Sequence, residues 1–185
     1  NRHPRVKILS PGPGVGGHCI SVDPWFLVEA APETAQLIRT AREVNDSQPQ
    51  YVADFMRKKL GDLKGKWITV LGLAYKPDVD DLRESPAVDT AVLLANAGAV
   101  VTAYEPYKTD FKLDGITTVD ILVEAVEHAD ILLLLVGHIH FKSMDPLEIA
   151  KISKARQVVD TVNGWKRSEW ESAGFEFFRI GDGKN

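Results

Sequence analysis

The stretch Trp67-Ile-Thr-Val-Leu-Gly72 begins a regular alternation of strand and helix patterns. Its first five residues are mostly apolar or β-branched and end at a glycine, which is typical of a buried strand that runs into a turn. Ser85-Pro86 then supplies an N-cap and a first helical residue, and Gly98 marks the end of that helix. The sequence therefore predicts a strand followed by a helix, the repeating unit of a parallel sheet.

The alternation continues to the end of the chain. We predict helices at 121–129 and 146–152, and further strands at 100–104, 131–136, 157–160 and 175–180. Strands joined by helices of this length need right-handed crossovers. The predicted fold class is therefore α/β, with a parallel, doubly wound sheet.

The first 62 residues have a different pattern. Glycine and proline dominate 1–24 and peak at 11–17, which predicts a turning loop whose backbone closely approaches a neighbour. Asp23 as N-cap and Pro24 as first helical residue predict a short helix after this loop. Apolar residues then recur at helical spacing over 34–60, where Pro49 requires either a kink or two abutting helices.

We divide the chain on this basis into a loop and helical region at 1–62 and an α/β unit at 63–185. The helices of 34–60 carry two layers of apolar residues, more than one short domain can cover. This excess predicts that they form the interface of a homodimer or a higher homo-oligomer.

Composition limits the binding partners and the cellular location that can be expected for the chain. Its 22 basic and 26 acidic residues give a formal net charge of -4, which argues against nucleic acid as a partner. No apolar run approaches the roughly 20 residues that cross a bilayer, which argues against a membrane partner. A single cysteine, Cys19, cannot form an internal disulfide, so a cytoplasmic location is the default expectation. Because the chain begins at Asn1 within a loop-like stretch, we expect a fragment of a longer protein.

Cys19 is the first candidate for chemistry. It follows Gly16, Gly17 and His18 directly and precedes a predicted helix N-terminus. The helix dipole and a protonated His18 would favour the thiolate, which is the nucleophilic form. The alternative is a buried, inert cysteine. Asp23 either orients a water molecule near the sulfur or serves only as the N-cap.

Two cations lie between the first strand and the helix that follows it. Lys76 and Arg83 both occupy the loop where a parallel sheet binds its ligands, and both suit phosphate oxygens. The alternative is a pair of solvated surface cations that bind acidic neighbours. The loop contains one glycine, Gly72, so it is not the G-x-G-x-x-G fingerprint of a dinucleotide site.

Other polar residues follow later strands. Glu105 could meet a ribose or simply begin a turn with Pro106. His138 and His140 would share one face if their strand continued, but no third ligand accompanies them, so we expect a strand-end loop near the cleft and no metal site. Lys166 and Arg167 reach either the same cleft or solvent.

Three segments carry a family resemblance. They are Pro11-Gly-Pro-Gly-Val-Gly-Gly-His-Cys-Ile-Ser-Val-Asp-Pro-Trp-Phe-Leu27, Leu37-Ile-Arg-Thr-Ala-Arg-Glu-Val-Asn-Asp46 and Leu71-Gly-Leu-Ala-Tyr-Lys-Pro-Asp-Val-Asp-Asp-Leu-Arg-Glu-Ser-Pro86. In order and spacing they resemble the UDP-glucose/GDP-mannose dehydrogenase family, and the resemblance covers essentially the whole chain. Members of that family carry an N-terminal Rossmann domain for NAD, a helical dimerisation region and a C-terminal Rossmann-like domain for the UDP-sugar. The resemblance implies that this chain holds the last two and lacks the first.

The resemblance also implies a role for particular residues. Cys19 corresponds to the nucleophile, Asp23 to the catalytic aspartate, Gly16 to the loop against the sugar, Lys76 to a substrate contact, Arg83 to a contact with NAD, and His3 and Arg5 to residues that enter the sugar pocket of a neighbouring subunit. The general-base lysine and its associated asparagine of the family have no counterpart, because they would precede residue 1. Where relatives often carry a basic residue after an aspartate, this sequence has Val162, and whether Lys166 or Arg167 substitutes is left open.

The implied reaction oxidises a sugar primary alcohol to a carboxylate with two NAD. Cys19 would add to the aldehyde, and a second oxidation would give a thioester that water hydrolyses. The motif at Val22 and Asp23 resembles the branch that acts on UDP-N-acetyl-D-mannosamine, because the glucose branch usually has lysine before the aspartate. A UDP-glucose or UDP-N-acetylglucosamine dehydrogenase remains an alternative, as does a stand-alone UDP-binding module without catalysis.

Overall fold

The computed structural model describes Arg5 and residues 8–183. Within those residues, six parallel strands form one sheet in the order β3-β2-β1-β4-β5-β6. The strands are β1 (Trp67–Leu71), β2 (Val100–Tyr104), β3 (Thr117–Val119), β4 (Ile131–Leu134), β5 (Gln157–Asp160) and β6 (Glu176–Arg179). This order confirms the predicted doubly wound α/β fold, and it is the strand order of dinucleotide-binding sheets.

The strand order reverses direction at β1. Its neighbours are β2 on one side, with Trp67 opposite Val100, and β4 on the other, with Leu71 opposite Leu134. The chain therefore leaves β1 and β4 towards opposite halves of the sheet, which opens a crevice beyond their carboxyl ends. Ligands of open α/β sheets bind at such a crevice.

The described residues also form eight helices. They are α1 (Asp23–Ala30), α2 (Gln36–Asp46), α3 (Gln48–Leu60), α4 (Pro86–Asn96), α5 (Leu122–Val126), α6 (Ile139–Lys142), α7 (Pro146–Ile152) and α8 (Arg167–Ser172). Pro49 lies in the first turn of α3, so the helical region is two abutting helices rather than one kinked helix.

The apolar core lies in two layers, one on each face of the sheet. Ile68, Val70 and Leu133 pack on the face covered by α3 and α4. Leu71, Leu132 and Leu134 point to the other face, under α5, α7 and α8, because side chains alternate along a strand. Burial on both faces explains why β4 is apolar along its whole length.

Helix α3 contributes Val52, Ala53 and Met56 to the core layer that contains Ile68 and Val70 of the sheet. The helical region and the α/β unit therefore share one core, and α3 packs closely on α4. The division of the chain at 62 and 63 stays a prediction.

Three local predictions were wrong. Asp23 is the first residue of α1 rather than its N-cap, because a turn over 17–22 leads directly into the helix and Val22 takes the cap position. The helix expected at 121–129 is only α5, five residues long. The strand expected at 131–136 ends at Leu134. The strand expected at 175–180 is confirmed as β6, one residue shorter at each end. Strand β3 and helices α6 and α8 were not predicted.

None of the helices in the described part of the chain has the length and apolar character that crossing a membrane requires.

Candidate functional site

A cavity of about 610 Å3 lies at the crevice where the strand order reverses. The loop after β1 forms one wall with residues 74–77, and Pro86 and Ala87 at the start of α4 continue it. Residues 135–137 after β4 form the opposite wall, and residues 8–16 of the glycine-rich loop cover the opening. The volume falls within the range of about 300–1,000 Å3 typical of small-molecule sites.

Among the described residues that line this cavity, the charged ones are two lysines. Lys76 comes from the loop after β1, and Lys142 comes from α6, after β4. Both are exposed, and neither forms a salt bridge with a described residue; Lys76 Nζ lies 5.3 Å from the ring centroid of Tyr75. An apolar cavity with two cations and no acidic lining residue is suited to a dianionic ligand.

Lys142 was not among the site residues predicted from the sequence. Its side chain crosses the space that Gly137 leaves empty, since a Cβ on Gly137 would lie 3.0 Å from Lys142 Cε. The side chain also passes Val162, which lines the cavity. Its position depends on the helical turn of α6, which the strand pattern of residues 131–136 did not indicate.

The glycine-rich loop is held against the α/β unit by close backbone contacts. A Cβ on Gly16 would lie 1.9 Å from the carbonyl oxygen of Glu84, so only glycine fits there without movement. Gly17 donates its N–H to the same oxygen at 3.3 Å and has φ +96° beside the ring of Tyr75. The predicted close backbone approach is thus confirmed, and the loop packs against the residues just before α4.

Helix α2 fixes the other side of this loop. Asn45 Oδ1 accepts the N–H of Val15 at 2.8 Å, and Asn45 Nδ2 donates to the carbonyl oxygen of Val15 at 3.0 Å. Arg42 donates to the same carbonyl at 3.4 Å and pairs with Asp46 at 2.5 Å. The wall of the cavity is therefore anchored before any ligand binds.

Cys19 is an exposed free thiol, which eliminates the alternative of a buried, inert cysteine. It lies in the turn that leads into α1, and its carbonyl oxygen accepts the N–H of Asp23 at 2.8 Å. Its neighbour Ile20 lines the cavity, and Gly16 does so three residues earlier. The structure thus places Cys19 next in sequence to a residue that lines the cavity, and Asp23 within one turn of Cys19.

Arg83, in the loop between β1 and α4, is also exposed. Its guanidinium donates to Asp81 through Nε at 2.9 Å and through NH2 at 2.6 Å. The hydrogen bond and charge of Asp81 raise the pKa of Arg83, with smaller contributions from Tyr75 and Cys19. Arg83 lowers the pKa of Asp81 in return. Arg83 is therefore a surface cation paired with an acidic neighbour, which was one of the two interpretations of the sequence. Lys76 is not paired in this way with any described residue.

Glu105 and His138 are both fully buried, below the cavity rather than on its surface. Their side chains meet at 3.0 Å, and Glu105 binds backbone N–H groups of the loop after β1, so it does not face a ribose. His140 is exposed, because α6 turns the chain after His138. Within 8–183 and Arg5, no group of three or more His, Cys, Asp or Glu side chains is arranged to hold a metal ion.

The remaining predicted residues lie elsewhere. His3 falls outside the described residues, and Arg5 is exposed in a turn. Lys166 pairs with Glu169 at 2.8 Å, and Arg167 binds Glu171, Asp182 and the carbonyl oxygen of Phe177. Neither of these two cations lines the cavity.

Two family models match the chain. One is described as the UDP binding domain of the UDP-glucose/GDP-mannose dehydrogenase family and matches residues 69–167. The other is described as the central domain of the same family and matches residues 1–47. The first covers more than half of the chain and contains both lysines of the cavity.

Similar proteins come from archaea and bacteria. A UDP-N-acetyl-D-mannosamine dehydrogenase of Methanocaldococcus jannaschii is 46% identical over 100% of this chain and 43% of its own length. An NDP-N-acetyl-D-galactosaminuronic acid dehydrogenase of Ralstonia solanacearum is 45% identical over 89% of this chain and 38% of its own length. The solved structure of a UDP-D-ManNAc dehydrogenase from Pyrococcus horikoshii has a TM-score of 0.81 and 37% identity over 99% of this chain and 42% of that chain.

This chain therefore spans less than half the length of the curated relatives that it matches. The two family models match in the expected order, and the fold and the glycine-rich loop agree with them. The chain belongs to the UDP-glucose/GDP-mannose dehydrogenase family.

Proposed function

We propose that this chain is the part of an NAD-dependent UDP-sugar dehydrogenase that binds the UDP-sugar and supplies the reactive thiol. The observation that carries the proposal is an exposed cysteine next in sequence to Ile20, which lines a cavity whose two described charged residues are lysines. The cavity lies at the crevice where a doubly wound sheet binds ligands. The match of residues 69–167 to a UDP binding domain supports the same ligand.

In this proposal the two lysines bind the diphosphate. Lys76 and Lys142 approach the cavity from the loops after β1 and β4, so a diphosphate between them would meet one cation on each side. Charge-assisted hydrogen bonds of this kind are stronger than neutral ones. The uridine would lie in the apolar part of the cavity, and the sugar would extend along Gly16 towards Cys19. His3 and Arg5 are proposed to contact the sugar of a neighbouring subunit, as the family resemblance implies.

Cys19 and Asp23 are proposed to carry the covalent chemistry. NAD, when bound, supplies the acceptor for the hydride released in each of the two oxidations. As a thiolate, Cys19 adds to the carbonyl carbon of the aldehyde, and the second oxidation leaves a thioester on its Sγ. Water hydrolyses the thioester, which releases the carboxylate and the thiol. Asp23 is proposed to orient that water, and covalent capture keeps the aldehyde from escaping.

Arg83 is the residue of this chain proposed to contact NAD. Its guanidinium is exposed, oriented by Asp81 and close to Cys19, which fits a cation that meets a phosphate beside the reacting carbon. The sheet of this chain does not fit the dinucleotide itself. Its first turn has one glycine, and Glu105 already accepts the N–H groups of Leu73 and Ala74.

The proposed substrate is UDP-N-acetyl-D-mannosamine, which the names of the relatives from M. jannaschii and P. horikoshii support. The nearly equal identity of the R. solanacearum relative makes an N-acetyl-D-galactosamine sugar the second candidate. Comparison of kcat/KM for UDP-linked N-acetylmannosamine, N-acetylgalactosamine, N-acetylglucosamine and glucose in the complete enzyme distinguishes them. A kcat/KM highest for glucose would contradict the proposed branch. The enzyme is proposed to act in the cytoplasm, where its nucleotide substrates are made.

We expect Lys76→Met and Lys142→Met each to raise the Kd for UDP about tenfold or more. A hydrogen bond to a charged group contributes about 1.5–3 kcal/mol, and methionine keeps most of the side-chain volume without the charge. Isothermal titration calorimetry of the folded variants measures the effect. Lys66→Met is the matched control, because Lys66 is exposed at the opposite end of β1. Unchanged affinity in both cavity variants would mean that the phosphates bind elsewhere.

We also propose a homodimer interface on the helical region, through α1 and α2. The interface predicted over all of 34–60 needs this change, because the apolar face of α3 is buried in this chain's own core. Helices α1 and α2 leave four large apolar side chains more than half exposed, namely Phe26, Leu27, Leu37 and Val44. Exposed apolar residues that cluster on neighbouring helices are typical of a surface that a partner covers, and a second copy is the partner that the family resemblance implies.

The double variant Leu37→Asp/Val44→Asp is expected to convert a dimer to a monomer, because two buried carboxylates per subunit would oppose association. Light scattering measures the mass in solution. Leu147→Asp, which places the same charge on an exposed leucine of α7, should leave the mass unchanged. A monomeric parent protein at high concentration contradicts the proposed interface.

A further inference from the structure

The carboxyl ends of three adjacent strands are joined beneath the cavity by a buried polar network. We define the loop-anchoring network as Glu105, His138, Asp78 and Tyr107. Glu105 directly follows β2, His138 follows β4, and Asp78 lies in the loop after β1. Glu105 and His138 are fully buried, whereas the side chain of Asp78 is about half exposed.

Glu105 accepts hydrogen bonds through both carboxylate oxygens. Its Oε2 accepts the N–H groups of Leu73 at 2.8 Å and Ala74 at 3.0 Å, and its Oε1 accepts the N–H of Tyr107 at 3.0 Å. Burial raises the pKa of Glu105, but the hydrogen bonds from His138 and from these backbone groups outweigh it and leave the pKa lowered. The carboxylate is therefore charged and holds the first turn of the loop.

His138 connects Glu105 to Asp78, in the middle of the same loop. Its Nδ1 accepts the N–H of Asp78 at 2.8 Å, so the ring proton lies on Nε2, which donates to Glu105 Oε2 at 3.0 Å. Asp78 Oδ1 accepts the N–H of Ile139 at 2.9 Å and the hydroxyl of Tyr107 at 3.1 Å.

Asp78 needs these bonds because its backbone is strained. Its φ of 60° lies in the left-handed region, which costs energy for a residue other than glycine. The ring of Tyr107 also packs on His138, with 4.9 Å between the ring centroids. Backbone and side chain of Asp78 are thus held by two different segments, residues 138–139 and Tyr107.

We propose that Glu105 and His138 are positioning residues that hold Lys76 in the conformation that binds the UDP diphosphate. Lys76 lies two residues from Ala74, which Glu105 anchors, and two residues from Asp78, which His138 anchors. Both ends of the segment that carries the lysine are therefore fixed to β2 and β4. This inference rests on the proposed function, in which Lys76 binds the diphosphate.

The test is a double-mutant cycle with UDP as the ligand. Tyr107→Phe removes the hydroxyl that binds Asp78 and keeps the ring on His138. His138→Gln keeps a donor near the Nε2 position and removes the acceptor of the Asp78 N–H. Each change is made in the parent chain and in Lys76→Met, and the Kd for UDP is measured by calorimetry. Tyr104→Phe is the matched control, because its hydroxyl contacts His140 outside the network.

Each network variant is expected to raise the Kd about two- to tenfold in the parent chain, as the loss of one or two hydrogen bonds predicts. In the Lys76→Met background the same changes should have little further effect, because no lysine remains to be positioned. Tyr104→Phe should leave the Kd unchanged in both backgrounds. Tyr107 is 40% exposed, so Tyr107→Phe is expected to fold. If His138→Gln does not fold, Tyr107→Phe alone is used to complete the cycle.

Equal losses in both backgrounds would overturn the inference and leave the proposed function intact, since the network would then support the fold alone. An unchanged Kd in Tyr107→Phe and His138→Gln would overturn it as well. If Lys76→Met itself leaves the Kd unchanged, the proposed diphosphate contact fails, and the positioning role fails with it.

Discussion

Replacing Cys19 with serine in the complete enzyme is expected to lower acid formation at least about a thousandfold while the affinity for the UDP-sugar changes little. A thiolate is a strong nucleophile, whereas a serine hydroxyl stays protonated and cannot add to the aldehyde at a useful rate. The exposed position of Cys19 leaves the fold and the cavity walls independent of its sulfur. Separation and mass analysis of the sugar products measures the acid, and calorimetry measures the binding.

A second variant separates the loss of the nucleophile from a change of shape. Cys19→Ala should lose acid formation to the same extent as Cys19→Ser, because both lack a thiolate. The unfolding midpoints of the two variants should match that of the parent protein. Near-normal acid formation by either variant would falsify the covalent mechanism, and a large loss of UDP-sugar affinity would show that Cys19 also shapes the pocket.

The sheet could be predicted because its central strands are buried on both faces. Such strands are short apolar runs bounded by turn residues, and the bounds of β2 and β5 match the prediction at both ends. Strand β3 was missed because it has three residues at the edge of the sheet and little burial. Helix α6 was missed because its four residues, Ile139 to Lys142, are too few for a helical period and alternate between apolar and polar as a strand does.

The site was partly predictable for a similar reason. Cys19 lies in a glycine-rich loop, and Lys76 lies in the turn after a strand. Both kinds of segment can be recognised from the local sequence. The role of Glu105 depends on contacts with residues about thirty positions away in either direction, so no local pattern indicated it. Lys142 likewise reaches the cavity only because α6 turns the chain back towards Val162.

The chain of 185 residues, taken by itself, is expected to bind UDP and to reduce no NAD. The cavity and both of its lysines lie within this chain, so binding of the diphosphate should survive. Hydride transfer needs the nicotinamide held against the sugar carbon, and positioning of that kind accounts for a large part of enzymatic rates. The first turn of this sheet offers no dinucleotide site, because Glu105 occupies the N–H groups of Leu73 and Ala74.

Calorimetry with UDP and with NAD, and an absorbance assay for NADH with UDP-sugar present, measure the three quantities on the same preparation. We expect a measurable Kd for UDP, none for NAD and no NADH. Turnover by this chain would mean that Arg83 and the residues around Cys19 suffice to hold the cofactor, which one exposed guanidinium paired with Asp81 does not support. Failure to bind UDP would instead mean that the cavity and its two lysines do not suffice to hold the nucleotide. Cys19 and both lysines belong to this chain. If the chain binds UDP but does not oxidise the sugar, then the part of the enzyme that recognises the substrate does not suffice for hydride transfer.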